Sequence, residues 1–289
     1  MHCNAPRQSQ SLSSAPWRPW YKRNVFNRFL RCIRTAVAAG VVLTALLSAL
    51  RAFALHAAAD VRAPGRSLSD ECATEDGALQ HGLRRSGVVA LTFDACPTTH
   101  VPGFSPDIAD QLQAAGIPAT FFISGRWAEA HPAELARLAS VPFFEIALHG
   151  YRHRHLRAGA LDGAVEEIED GRAALQHLGQ TPQPLFRPPY GDHPTLLAEA
   201  ARRTGVTPVL WDVAPGDPDP HETARDLERS VLAHVQGGSI IILHVNGRGV
   251  ATAAALPAII AGIQRRGLQF VTASELVKQC AAVDAARLP

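Results

Sequence analysis

Two histidines separated by three residues stand in the stretch Glu145-Ile-Ala-Leu-His149-Gly-Tyr-Arg-His153. That spacing can put both imidazoles on one side of a turn or helix. Neutral imidazole nitrogens suit zinc, iron, cobalt or nickel, so the pair is a candidate holder of one divalent metal. Other chemically capable side chains occur in the same setting, directly after an apolar run. They are Asp94 and Cys96 in Thr92-Phe-Asp-Ala-Cys-Pro97, Arg187 and Tyr190 in Arg187-Pro-Pro-Tyr-Gly191, Trp211 with Asp212 and Asp217 beyond it, and His244 after Ile240-Ile-Ile-Leu. One Asp or His at such a place is ordinarily a cap or a loop hydrogen-bonder. Repetition at five run ends is hard to explain structurally and points to one shared site. The bland alternatives differ by residue. Arg187-Pro-Pro-Tyr190 also reads as a rigid turn, since two prolines fix φ and remove donors. Trp211 follows Val209 and Leu210 and fits a core as well as a sugar platform. His100, His155 and His193 read as surface loop histidines.

The elements that must position these groups alternate regularly. Apolar strand-like runs fall at Val88–Phe93, Ala119–Ile123, Phe143–Leu148, Pro184–Phe186, Thr207–Leu210, Ser239–Leu243 and Gln269–Val271. Helical patterns separate them at Pro106–Ala115, Pro132–Ala139, Ala160–Leu178, Pro194–Thr204, Glu222–Gln236 and Thr252–Arg266. Proline at several starts and glycine after several stops (Gly116, Gly205, Gly237, Gly267) fit helix-end preferences. Strands alternating with helices imply an α/β fold with a parallel sheet, either a barrel or a doubly wound layer. Runs such as Val88-Val-Ala-Leu and Ile240-Ile-Ile-Leu suit strands covered on both faces. Both architectures place the site at the carboxyl ends of the strands, where the polar groups fall.

Bulk properties exclude more than they assign. The 289 residues carry 28 Lys and Arg against 26 Asp and Glu, with no basic face, which argues against a nucleic-acid partner. Charge is uneven only at the start, where Arg7, Arg18, Lys22, Arg23, Arg28, Arg31 and Arg34 have no acid among them. Thr35 to Leu50 is then uncharged and apolar. Residues 1–59 therefore read as a signal peptide or a short membrane anchor, and the rest as exported to the periplasm or beyond, or held at the membrane if uncleaved. Residues 60–86 read as a linker or wrapping arm. Of five cysteines, Cys72, Cys96 and Cys280 lie beyond the targeting segment, which suggests one disulfide and one free or ligating thiol. A Cys72–Cys280 bridge would close the two ends of the domain, although spacing alone leaves the pairing open.

The order T-F-D, H-x-x-x-H, R-x-P-Y, an aspartate after the fifth strand and a late Leu243-His244 resembles the polysaccharide deacetylase family, the NodB-homology domain of carbohydrate esterase family 4. Ala119-Thr-Phe-Phe-Ile-Ser-Gly125 and Phe270-Val-Thr272 agree with it, and the likeness runs from about Gly87 to Leu276. The resemblance implies a single distorted (β/α) barrel of about seven parallel strands over residues 87–280, with 281–289 as a tail. It implies metal-assisted removal of N-acetyl groups from an N-acetylhexosamine polysaccharide. His149 and His153 would hold the metal, zinc foremost, with cobalt or nickel also suited. Asp94 would be the general base and His244 the general acid, oriented by Asp217. Arg187 would pair with Asp94, the Tyr190 amide would bind the oxyanion, and Tyr190 and Trp211 would face substrate.

Two departures qualify that reading. The family usually has T-F-D-D-G, whose second aspartate is the third protein ligand; here Ala95 and Cys96 take the last two places. The metal would then sit on two histidines, or recruit Asp94 or the Cys96 thiolate, or be poorly held. If the missing carboxylate limits affinity, Ala95→Asp should tighten metal binding. Beyond the fifth strand, Ala214-Pro-Gly-Asp217-Pro218 lacks the family's first acid and its tryptophan. Two rivals follow: a non-catalytic glycan-binding barrel, and an amidase for a non-sugar acyl amide.

Overall fold

The computed structural model describes residues 71–72, 77–99, 103–156, 160–192 and 195–287. The basic and apolar N-terminal segment lies outside them. Among the described residues no helix is long and apolar enough to cross a membrane.

In chain order the elements are β1 (Val88–Ala95), α1 (Pro106–Ala115), β2 (Ala119–Ile123), α2 (Gly125–Ala130), α3 (Pro132–Ala139), β3 (Phe144–Leu148), α4 (Leu161–His177), β4 (Leu185–Phe186), α5 (Leu197–Thr204), β5 (Thr207–Pro208), α6 (Ala224–His234), β6 (Ile240–His244), α7 (Thr252–Arg265), β7 (Gln269–Val271) and α8 (Ala273–Arg287). The strands form one parallel sheet in the order β5-β4-β3-β2-β1-β6, with β7 also on β1. The chain beyond β5 curls the sheet shut. Val213 bridges Ile241, and the Ile242 N–H donates to the Val213 carbonyl at 3.0 Å. Of the two architectures that the alternating pattern left open, the result is the distorted parallel barrel that the family resemblance implied.

Strand alternation sorts the side chains into two layers. Val89, Leu91, Phe93 and Ala95 of β1 pack outward with Phe121, Ile123 and Leu148 against the helices. Ala90, Phe122, Ala147, Leu185, Val209 and Ile240 point inward. Fully burying one such large side chain stabilises by roughly 1.5–3 kcal/mol. The inner layer is closed at the strands' amino ends by Leu79 and Leu83 of the arm and by Ala273 and Leu276 of α8. Helix α8 is seated there by its first amides: the Ala273 N–H donates to Thr120 Oγ1 at 2.8 Å and the Ser274 N–H to Glu145 Oε1 at 3.2 Å. A Cys72–Cys280 disulfide joins arm to helix, and Cys96 is free and buried.

Several expected boundaries move. Strand β5 is two residues long, because the Leu210 amide is taken by the Leu79 carbonyl of the arm. Helix α5 begins at Leu197 rather than Pro194, which lies outside the described residues. Helices α2 and α8 were not expected, and α8 continues to Arg287, through part of the segment set apart as a tail.

Candidate active site

The inward-facing positions at the carboxyl ends of the strands bring most of the expected residues together. Asp94, on β1, lies in register with His244 at the end of β6. Its Oδ1 accepts from Arg187 Nη1 at 2.7 Å. The Arg187 guanidinium is itself fully buried. It donates to the Leu210 carbonyl at 3.2 Å and stacks over Phe122, 4.0 Å from the ring centre. Burial alone would raise the Asp94 pKa; Arg187, His149 and His244 outweigh it and hold the carboxyl below the ordinary range. Asp94 is thus an ionised carboxylate locked in one rotamer.

Its other oxygen, Oδ2, faces His149 Nε2 at 3.4 Å. His149 Nδ1 lies 2.8 Å from the Arg187 carbonyl, which can only accept, so Nδ1 carries the proton. Burial pushes the His149 pKa down against the pull of Asp94, so the ring is neutral and Nε2 presents a lone pair. Two acceptors facing each other call for a cation or a proton between them. Two ligands of a tetrahedral zinc, each about 2.0–2.2 Å from it, stand roughly 3.3–3.6 Å apart, so the spacing fits a metal. His153 adds a second imidazole, its ring centre 4.9 Å from that of His149. Burial, then His149, press its pKa down to about 3, which also leaves it neutral and ligand-competent. Among the described residues, however, no three His, Cys, Asp or Glu side chains already stand as a metal-holding set.

Ala95 answers the question of the missing ligand differently from the sequence. Its side chain is fully buried in the outer, helix-facing layer, with Phe93 and Ile123. A carboxylate introduced there would enter apolar packing rather than reach the histidines, so Ala95→Asp should cost stability without tightening metal binding. Cys96 does not stand as a thiolate either. Burial and the nearby Asp94 push its pKa up, and its Sγ accepts from Asn246 Nδ2 at 3.1 Å.

Across from the pair, His244 is held by Asp217 at two points. The His244 N–H donates to Oδ2 at 2.7 Å, and Nδ1 lies 3.0 Å from Oδ1. Thr252 Oγ1 also donates to Oδ2, at 2.9 Å. Burial would lower the His244 pKa; the bond to Asp217 and the charges of Asp217 and Asp94 overcome it and raise it. The Nε2 edge of the ring is left for the site.

Tyr190 takes a left-handed backbone (φ 60), and its amide meets no acceptor among the described residues. Its ring is 55% exposed, stacks on His155 at 3.8 Å and meets the His153 ring edge-on. His155, read as a surface histidine, also bonds Asp192 at 2.9 Å. Trp211 is half-buried, 5.5 Å from the Arg187 guanidinium, and lines a cavity of about 510 Å³ with Gln80, His81, Arg84 and Ser230. Asp212 is structural: it accepts from Arg84, Ser239 and the Ile240 amide where the barrel closes. Sequence reasoning missed Asn246 and Arg248, in the loop after β6. Asn246 ties Cys96 down, and Arg248 lies close enough to depress the pKa of His153. The polar run following His244 was the only signal for them.

The sequence model described as polysaccharide deacetylase matches residues 82–209. A peptidoglycan-N-acetylglucosamine deacetylase of Bacillus cereus is 30% identical over 196 residues, covering 66% of this chain and 88% of that protein. This chain belongs to the polysaccharide deacetylase family. Another family member, a chitooligosaccharide deacetylase of Azorhizobium caulinodans, is 29% identical over 194 residues, covering 62% of this chain and 89% of that one. The family 4 carbohydrate esterase from Streptomyces lividans, solved with acetate, superposes with a TM-score of 0.56 at 27% identity. It covers 64% of this chain and 91% of its own. The family match holds Asp94, His149, His153, Arg187 and Tyr190. Asp217 and His244 lie beyond it, and their place in the site rests on the geometry.

Proposed function

We propose that this chain is a metal-dependent hydrolase that removes N-acetyl groups from an N-acetylhexosamine-containing polysaccharide. The observation that carries this reading is the ionised Asp94 oxygen facing the unprotonated His149 nitrogen at 3.4 Å. A divalent ion, zinc by the donor set, would be held by His149 and His153 with Asp94 Oδ2 facing it, and would polarise the acetyl carbonyl and acidify water. Asp94 accepts the proton of the attacking water, and Arg187 fixes its orientation. The water oxygen bonds to the acetyl carbon as the carbonyl electron pair moves onto its oxygen; when the carbonyl reforms, the C–N bond breaks and acetate is released. His244, kept charged by Asp217, gives its proton to the departing amine. The Tyr190 amide is free to donate to the developing oxyanion, and the Tyr190 and Trp211 rings offer faces to sugar. The substrates in the relatives' names, peptidoglycan and chitooligosaccharide, support a glycan, and the acetate complex of the esterase supports acetate as the acid product.

Export to an oxidising compartment is part of the proposal, supported by the basic and apolar N-terminal run and by the Cys72–Cys280 bridge. The lack, among the described residues, of a complete three-ligand set favours the rival reading, a glycan-binding barrel without chemistry. Acetate release from N-acetylglucosamine oligomers, with metal content measured on the same sample, separates them. We expect both metal and acetate, and a loss of about 10²–10⁴-fold in turnover for Asp94→Asn. Neither metal nor acetate would leave the binding barrel; metal without acetate would point to a non-sugar amide.

A further inference from the structure

We propose that Glu167 is a positioning residue for the His149/His153 pair. Helix α4 carries this buried glutamate against the turn that joins the two histidines. One oxygen, Oε2, accepts the N–H of Tyr151 and the N–H of Arg152, each at 2.9 Å. The carbonyls of the same turn are held by α2: the Gly125 N–H donates to Gly150 O at 2.9 Å and the Arg126 N–H to Tyr151 O at 3.0 Å. Four backbone groups between the histidines are therefore fixed by two separate helices.

The fit is close enough to demand glycine on both sides. Gly150 has φ +73, and a Cβ there would come within 2.9 Å of Glu167 Oε2. A Cβ on Gly171, one helical turn beyond Glu167, would meet the Gly150 carbonyl oxygen at 2.6 Å. The turn ends at His153, which is left-handed at φ 59. A non-glycine residue keeps such a backbone only where its surroundings impose it, and the two-amide clamp of Glu167 is what imposes it here. The second oxygen, Oε1, is buried and meets no hydrogen-bond partner among the described residues, an arrangement that packing alone would not favour. Glu167 makes none of the contacts that join Asp94, Arg187, Asp217 and His244. Its role is to set where His153 stands relative to His149.

This rests on the reading of the pair as a metal site, so the test reads metal directly. Cobalt(II) is titrated into the purified full chain and followed by visible absorption, for wild type, Glu167→Ala, Glu167→Gln and Glu145→Ala. Glu145 is a buried glutamate at the opposite end of the barrel and controls for general destabilisation. Glu167→Ala should weaken cobalt binding about 10–100-fold, the usual cost of losing an outer partner of metal ligands, and change the absorption bands. Glu167→Gln keeps one oxygen for both amides and should retain wild-type affinity. Wild-type affinity in Glu167→Ala, equal loss in Glu167→Gln, or equal loss in Glu145→Ala each overturns the proposal while leaving the metal site standing. A wild-type chain that takes up no cobalt overturns both.

Discussion

Asp94 and Asp217 are both buried carboxylates at the mouth of one barrel, yet they are given opposite kinds of partner. Asp94 is paired with Arg187, a group that stays charged at any working pH. Asp217 is paired with His244, a group that titrates near neutrality. The first pair can only hold a charge still. The second can hold a proton and release it. The proposed reaction moves one proton off water and one onto an amine, and partner choice would supply both behaviours from the same acidic side chain.

Removing the permanent charge should have the largest effect. Arg187→Met leaves Asp94 buried and unpaired, which costs about 3–5 kcal/mol and should appear as a large fall in thermal midpoint. Adding Asp94→Asn to it should recover part of that loss, because the stranded charge is then gone; no recovery would mean that Arg187 acts mainly through its contacts with Phe122 and Leu210. Asp217→Asn should cost less stability and change the pH profile instead. The His244 pKa is raised in the native site, so its proton is present at low pH and lost as pH rises through that value. Without Asp217, burial prevails, and the alkaline limb of turnover should move to lower pH. An unmoved limb would assign it to another group. The smallest change is Gly249→Ala. A Cβ there would lie 2.3 Å from Thr252 Oγ1 and 2.5 Å from Asp217 Oδ2, so the Asp217 cradle must shift. The limb should move in the same direction as in Asp217→Asn but less far, at an overpacking cost of about 1–3 kcal/mol.

How far this site could be read in advance follows from what each residue type announces. The strands were legible because parallel strands covered on both faces need unbroken apolar runs, and the active groups because a polar residue ending such a run is conspicuous. Ala95 was legible as a departure but not as a direction: only the pairing register shows that it faces the helices. Glu167 looked like any other acid in a helical pattern, since nothing in Val165-Glu-Glu-Ile168 says which glutamate turns inward. Helix α2 opens on Gly125, a poor helix former, and α8 has little amphipathic character, so neither stood out. The shortness of β5 depends on an arm more than a hundred residues upstream, a contact that no local pattern encodes.

The Cys72–Cys280 bridge turns 208 residues of sequence separation into a covalent ring, and every strand lies inside it. By loop closure a ring of this size disfavours the unfolded chain by about 5 kcal/mol. The ring cannot close until Cys280 has been synthesised, after all seven strands are available, so it secures a barrel already able to form rather than guiding its assembly. Once closed, it keeps the domain in one covalent piece after a single cut inside the ring. A protease that nicks any one loop between the two cysteines leaves both pieces on one molecule, and two cuts are needed before a segment from inside the ring is released.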